Sequence, residues 1–155
     1  SYLLDGGDSA RLSKHLVRGQ QIASSAGTSY DPFSRLEGLF TFSGMPTQAH
    51  TVAELEAALR AQIKQLQTTL ADKAELERVK IQLRASQVYE LDSVFYQGMK
   101  IGMLETVGLE WQLFESYLDN IKAVTAEQVQ TVARQYLIDD HLTVAVLEPQ
   151  PLEGN

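Results

Sequence analysis

The sequence predicts an α+β fold in which an antiparallel sheet packs against helices. Strand formers with a period of two crowd the first third of the chain, capped segments with a period of 3.6 follow, and a Val- and Leu-rich run returns near the end. With 155 residues, 44% of them apolar, the chain has the size of one domain with a single sizeable core. That domain is expected over residues 1–148, with a tail over 149–155 where Pro149 and Pro151 end the pattern.

The chain opens on Ser1-Tyr2-Leu3-Leu4 without an initiator Met, so the domain reads as entered in mid-helix and incomplete at its N-terminus. Gly6-Gly7 ends that run, and Asp8 or Ser9 can cap a helix that carries Leu12 and Leu16 inward until Gly19 stops it. From Ile22 to Tyr30 the residues alternate, with Ile22, Ser24, Ala26, Thr28 and Tyr30 on one side. Gly38–Gly44 supplies a second strand, and Asp31–Glu37 joins the two as an antiparallel pair. Thr51 and Glu54 then form a capping box ahead of an apolar stripe, Val52, Leu55, Leu59, Ile63, Leu66 and Leu70. Asp72 and Glu75 repeat that start signal for a helix running toward Leu104, which Gly98 and Gly102 could bend and whose Phe95, Met99 and Met103 are expected in the core. A shorter helix follows Gly108, a third box at Thr125 and Gln128 starts the next, and His141–Leu147 reads as a buried strand.

Charge and composition narrow the chemistry. Thirteen basic against 20 acidic residues give −7, which repels phosphate backbones and argues against nucleic acid as a partner. No run of about 18 apolar residues offers a membrane span. Without cysteine there is no disulfide framework, no thiolate metal site and no thiol nucleophile, and the compartment stays open, a bacterial periplasm or envelope being compatible. His15, His50 and His141 have no second ligand at helical spacing, and neither Gly-x-Ser-x-Gly nor a phosphate-binding glycine loop occurs. No catalytic residue, metal ligand or cofactor is therefore expected in this chain.

The order of signals supplies a resemblance. Leu4-Asp5-Gly6-Gly7-Asp8-Ser9-Ala10-Arg11-Leu12, the small-residue strand Ile22-Ala23-Ser24-Ser25-Ala26, the strand Gly38–Gly44, the start Asp72-Lys73-Ala74-Glu75-Leu76-Glu77-Arg78, and the closing helix Val124–Leu137 follow one another in turn. Together they resemble the C-terminal, non-catalytic half-domain of the M16 zinc metallopeptidases, the pitrilysin/insulinase or inverzincin class. The resemblance implies a LuxS/mitochondrial-processing-peptidase-like half-domain that closes over an extended peptide substrate. It also implies an N-terminal catalytic M16 half, in the same chain or a separate subunit, carrying an inverted His-x-x-Glu-His zinc motif, so that zinc belongs to that half and none to this one. Many shorter members hold substrate with an Arg and a Tyr seven residues apart; Val17 and Ser24 occupy those positions here. Substrate binding is then expected from Arg18, Ser24, Phe40 and Phe42, with the Gly38–Gly44 strand adding its backbone to the peptide. The alternative implied by the missing pair is a non-catalytic M16-like subunit with a structural or partner-activating role.

Overall fold

The computed structural model describes residues 1–148, the side chains of 88–91 excepted, so the expected tail lies outside the described residues. The fold is α+β, with a two-stranded antiparallel sheet and helices against it. A short helix α1 (Tyr2–Asp5) buries Leu3 and Leu4. It ends at Gly6, where a Cβ would stand 2.4 Å from the Tyr2 carbonyl oxygen, and at Gly7, whose φ of 94° favours glycine. The next helix opens into a π-helix over Ser13–Gly19, closed by a 2.8 Å bond from Gln20 N–H to the His15 carbonyl. Leu12 and Leu16 on it are fully buried. Gln21 then takes a left-handed φ of 55°, rare for a residue with a Cβ, and turns the chain into the sheet.

Strands β1 (Ala23–Ser29) and β2 (Thr41–Pro46) pair with Thr28 opposite Phe42 and Ala26 opposite Gly44. Ala23 faces Pro46 and Ser25 faces Met45, so Ser24 is an extra residue, a β-bulge. The bulge corrects the simple alternation: Ala23 and Ala26, three apart, both pack inward, while Ser24 is exposed. β2 also begins at Thr41 rather than Gly38, which lengthens the connection. That connection is tied down by Asp31, whose carboxylate accepts from Phe33 N–H, and by the Phe33 ring, 6.2 Å from that of Tyr117.

Helix α2 (Val52–Thr68) starts at the expected capping box, with Glu54 N–H donating to Thr51 Oγ1 and Thr51 N–H to the Glu54 carboxylate. It lies close on the sheet because Gly44 has no side chain: a Cβ there would meet Leu55 Cδ2 at 3.0 Å. The main core gathers Leu4, Leu12, Leu16, Leu55, Leu66 and Ala133, each buried leucine contributing about 1.5–3 kcal/mol. Helix α6 (Ala126–Tyr136) closes it, capped by Thr125 and Gln128 as expected and tied to α2 where Arg134 Nε donates to the Gln67 carbonyl at 2.6 Å. A smaller cluster, Leu3, Ala71, Leu76 and Val79, seats the start of α3 (Lys73–Leu91).

Three further expectations need correction. The helix after Asp72 does not run unbroken: it ends at Leu91, and Ser93 caps a new helix α4 (Val94–Val107) by accepting from Tyr96 N–H, so the break falls before Gly98 and Gly102. Phe95 and Met99 are not core residues; they are 81% and 45% exposed, and Leu104 is the buried residue of α4. Helix α5 (Gln112–Ala123) packs against α3 and α4 without a fully buried residue. Finally, the run 142–147 forms no ladder, and Leu142, Val144 and Val146 are about half exposed. A strand needs a partner edge, and at Thr28 the Asp5 carboxylate already takes the N–H at 2.9 Å.

Candidate functional site

Two groups of side chains carry the chemistry this surface can offer. The first surrounds the Gly6–Ser9 turn. The wide turns of the π-helix place Lys14 and Arg18 beside Arg78 of α3, and with Ser9 and Gly19 they wall an open depression of about 460 Å³. Arg18 donates to the carbonyl of Asp8, and Arg78 to that of Ser9 at 3.1 Å, so two guanidinium groups grip consecutive carbonyls of one turn. Lys14 makes no side-chain hydrogen bond or ion pair among the described residues. Val17, one residue before Arg18, packs against the main core. A one-residue step along this π-helix swings the side chain to another face, which accounts for the contrast.

The second group is on the hairpin. Phe40 stacks on Tyr30 at 6.1 Å and meets Phe42 at 5.2 Å, and both phenylalanines lean on the main core with part of each ring exposed. Ser24, pushed out by the bulge, donates its hydroxyl to the Met45 carbonyl at 3.1 Å. The structure thus brings Phe40 and Phe42 together, while Arg18 and Ser24 each have their own backbone partners.

One polar pair escaped the sequence. Arg11 holds the Glu75 carboxylate with both Nε and Nη2, at 2.8 and 2.7 Å, in a largely buried setting. These bonds, opposed by desolvation and helped by the charges of Arg11 and Arg78, hold the Glu75 carboxyl below its ordinary pKa. Glu75 therefore does not serve the cap of α3; Asp72 alone accepts from the N–H groups of Ala74 and Glu75. The partners lie 64 residues apart, beyond any local signal. Glu54 is also lowered, chiefly by the Thr51 N–H it accepts, as a capping role requires.

No three His, Asp or Glu groups gather to hold a metal ion among the described residues. His15 is on the π-helix, His50 lies 3.5 Å from the Glu54 carboxylate, and His141 sits in a 3₁₀ turn, so these donors do not form a zinc set. No described helix is long and apolar enough to cross a membrane.

Comparison with known proteins adds the following. A sequence model of the "Peptidase M16 inactive domain" matches residues 1–83. An "Uncharacterized zinc protease" of Rickettsia bellii (strain RML369-C) is 28% identical over 162 residues, covering 98% of this chain and 36% of the relative, so the chain spans about a third of that protein. Among solved structures, a protease from Helicobacter pylori superposes with a TM-score of 0.81 at 22% identity, over 91% of this chain and 34% of that one. The inactive peptidase domain of a protein assigned as a zinc protease from Bordetella parapertussis gives 0.79 at 22% identity, over 97% of this chain and 82% of that one. At such identities the structural likeness bears on the fold, which is the α+β architecture of these neighbours.

Proposed function

The chain belongs to the peptidase M16 family through its inactive domain, and from that premise we propose that it is the non-catalytic half of a zinc-dependent peptidase, closing over an extended peptide. The zinc and its ligands belong to an upstream catalytic half, and this half supplies cleft wall and closure over residues 1–148. The observation that carries the reading is the run Leu142–Leu147, a strand-forming sequence that stays unpaired and exposed, Leu142, Val144 and Val146 by about half and Leu147 almost fully. Such a run costs apolar exposure until a partner edge takes it, and the remainder of a peptidase would provide that edge. Exposed Val94, Phe95 and Met99 on α4 support the same conclusion.

Within the cleft, Phe40 and Phe42 offer apolar contact, the Ser24 bulge re-aims the strand beside them, and Arg18 supplies a cation. The backbone of β2 adds main-chain hydrogen bonds to the peptide. The test is the full-length protein with and without these 155 residues. Zinc-dependent cleavage of a casein-derived peptide mixture should disappear on deletion, while one zinc per chain remains by mass spectrometry. Cleavage that survives deletion, or zinc that leaves with the deleted segment, would overturn the assignment.

A second reading is a partner subunit without activity of its own. It is favoured by Val17, which points to the core where shorter family members carry the substrate-holding Arg, and by Ser24 in place of the Tyr. A full-length protein that binds no zinc yet stimulates a separate M16 peptidase would select it.

A further inference from the structure

The depression beside the Gly6–Ser9 turn gathers three of the thirteen basic residues of a chain whose formal charge is −7. The acids of the neighbouring helix are already engaged: Glu75 by Arg11, Glu77 by Lys80 at 3.1 Å, and Asp72 at the start of α3. Asp8 is exposed, does not line the depression and forms no ion pair among the described residues. Arg78 lends part of its field to Glu75, but neither it, Arg18 nor Lys14 has a carboxylate within ion-pair distance among those residues. Because Arg18 and Arg78 each spend one bond on a backbone carbonyl, their forks are oriented before any ligand arrives, which lowers the ordering cost of binding.

The chemistry favours carboxylates over a compact phosphate. A phosphate cradle is built from converging backbone N–H groups, whereas the positive groups here are side chains, two of them already bonded to the Asp8 and Ser9 carbonyls. The positive charge resides on three separate side chains, so it suits several spaced carboxylates, each met by a fork or an ammonium. We propose that the depression walled by Lys14, Arg18 and Arg78 is a docking site for an acidic peptide segment, two or three carboxylates of which meet the three cations. The inference rests on the peptide-binding reading of Arg18 and names the substrate chemistry it would meet.

Fluorescence anisotropy with the full-length protein tests this, using a labelled peptide of alternating Glu and Ser and its Lys-Ser counterpart. A zinc chelator is present throughout, so the readout is binding and a protein that fails to cleave still answers the question. The acidic peptide should bind, the basic one should not, and added potassium chloride should weaken the complex. Lys14→Gln, whose ammonium holds nothing in the fold, and Arg78→Gln should each weaken binding about two- to fivefold, as solvent-exposed ion pairs do. Lys122→Gln on α5 should leave it unchanged. Equal affinity of Lys14→Gln and the unaltered protein would overturn the proposal. So would displacement of the peptide by inorganic phosphate beyond that produced by potassium chloride of equal ionic strength, which would make this a site for small anions.

Discussion

The π-helix and hairpin with α2 and α6, and the pair α4 and α5, are both apolar in sequence but differ in what they bury. The first region hides Leu12, Leu16, Leu55, Leu66 and Ala133; the second, though α4 reads Val-Phe-Tyr-Gln-Gly-Met-Lys-Ile-Gly-Met-Leu, hides Leu104 alone among its described residues. In α2 the apolar residues keep to one stripe, so one contact face satisfies them. In α4 they surround the axis, and α3 and α5 together cover only part of the circumference. The lesson is that apolar content sets how much surface wants cover, whereas its distribution sets how many neighbours are needed to provide it.

Stability measurements can break this contrast. Leu16→Ala, at a fully buried site of the first region, should cost about 3–4 kcal/mol in urea unfolding of the 155-residue chain. A cost near 1 kcal/mol would mean the first region is no better packed than the second. Next in size is Glu75→Gln, which leaves Arg11 largely buried beside a neutral amide and should cost about 2 kcal/mol, discounted because Glu75 keeps some solvent contact. Its pH dependence has a definite sign. The folded carboxyl is held below its ordinary 4.5, so the pair's contribution is complete above that value and fades as pH falls through the depressed one. The difference between natural and variant protein should therefore be flat at neutral pH and shrink in acid; a gap that widens in acid would reverse the assignment.

Two smaller effects sharpen the comparison. Thr51→Ala should cost about 1 kcal/mol of global stability, because the α2 cap belongs to the packed region. The matching Ser93→Ala in α4 should instead speed amide hydrogen exchange in 94–97 with little change in the unfolding midpoint. Smallest of all, Phe95→Ser should change stability by less than about 0.5 kcal/mol in the 155-residue chain, since the ring is 81% exposed. In the full-length protein the same substitution should cost more if the proposed partner half covers it. Equal small effects in both would remove α4 from the interface.

What could be read from the sequence was local. The boxes at Thr51 and Thr125 act within four residues, and the structure shows both. Ser93 was just as local, an Asp-Ser pair ahead of an apolar run, but the unbroken helical periodicity around it masked the signal. Arg11 with Glu75, and whether 142–147 finds a ladder partner, depend on residues far away in the sequence, and no periodicity reports them. Of the candidate binding residues, the apolar contact of Phe40 with Phe42 follows from their period of two. The position of Arg18 depends on a π-helix that no composition rule announces.

That π-helix, the left-handed Gln21 and the Ser24 bulge fall within twelve consecutive residues, each altering how far the chain advances and how far it rotates per residue. Across this stretch a count of residues is not a length. Two homologues with the same seven-residue interval between a helix position and a strand position can place those side chains in different spots if one has an ordinary α-helix and the other a π-helix. An equivalence drawn from spacing alone should be re-measured in space here before a substitution such as Val17 for Arg is counted as a lost function. Moving a cation back to position 17 would place it against the core, so restoring the lettering of a motif and restoring its geometry are separate operations in this protein.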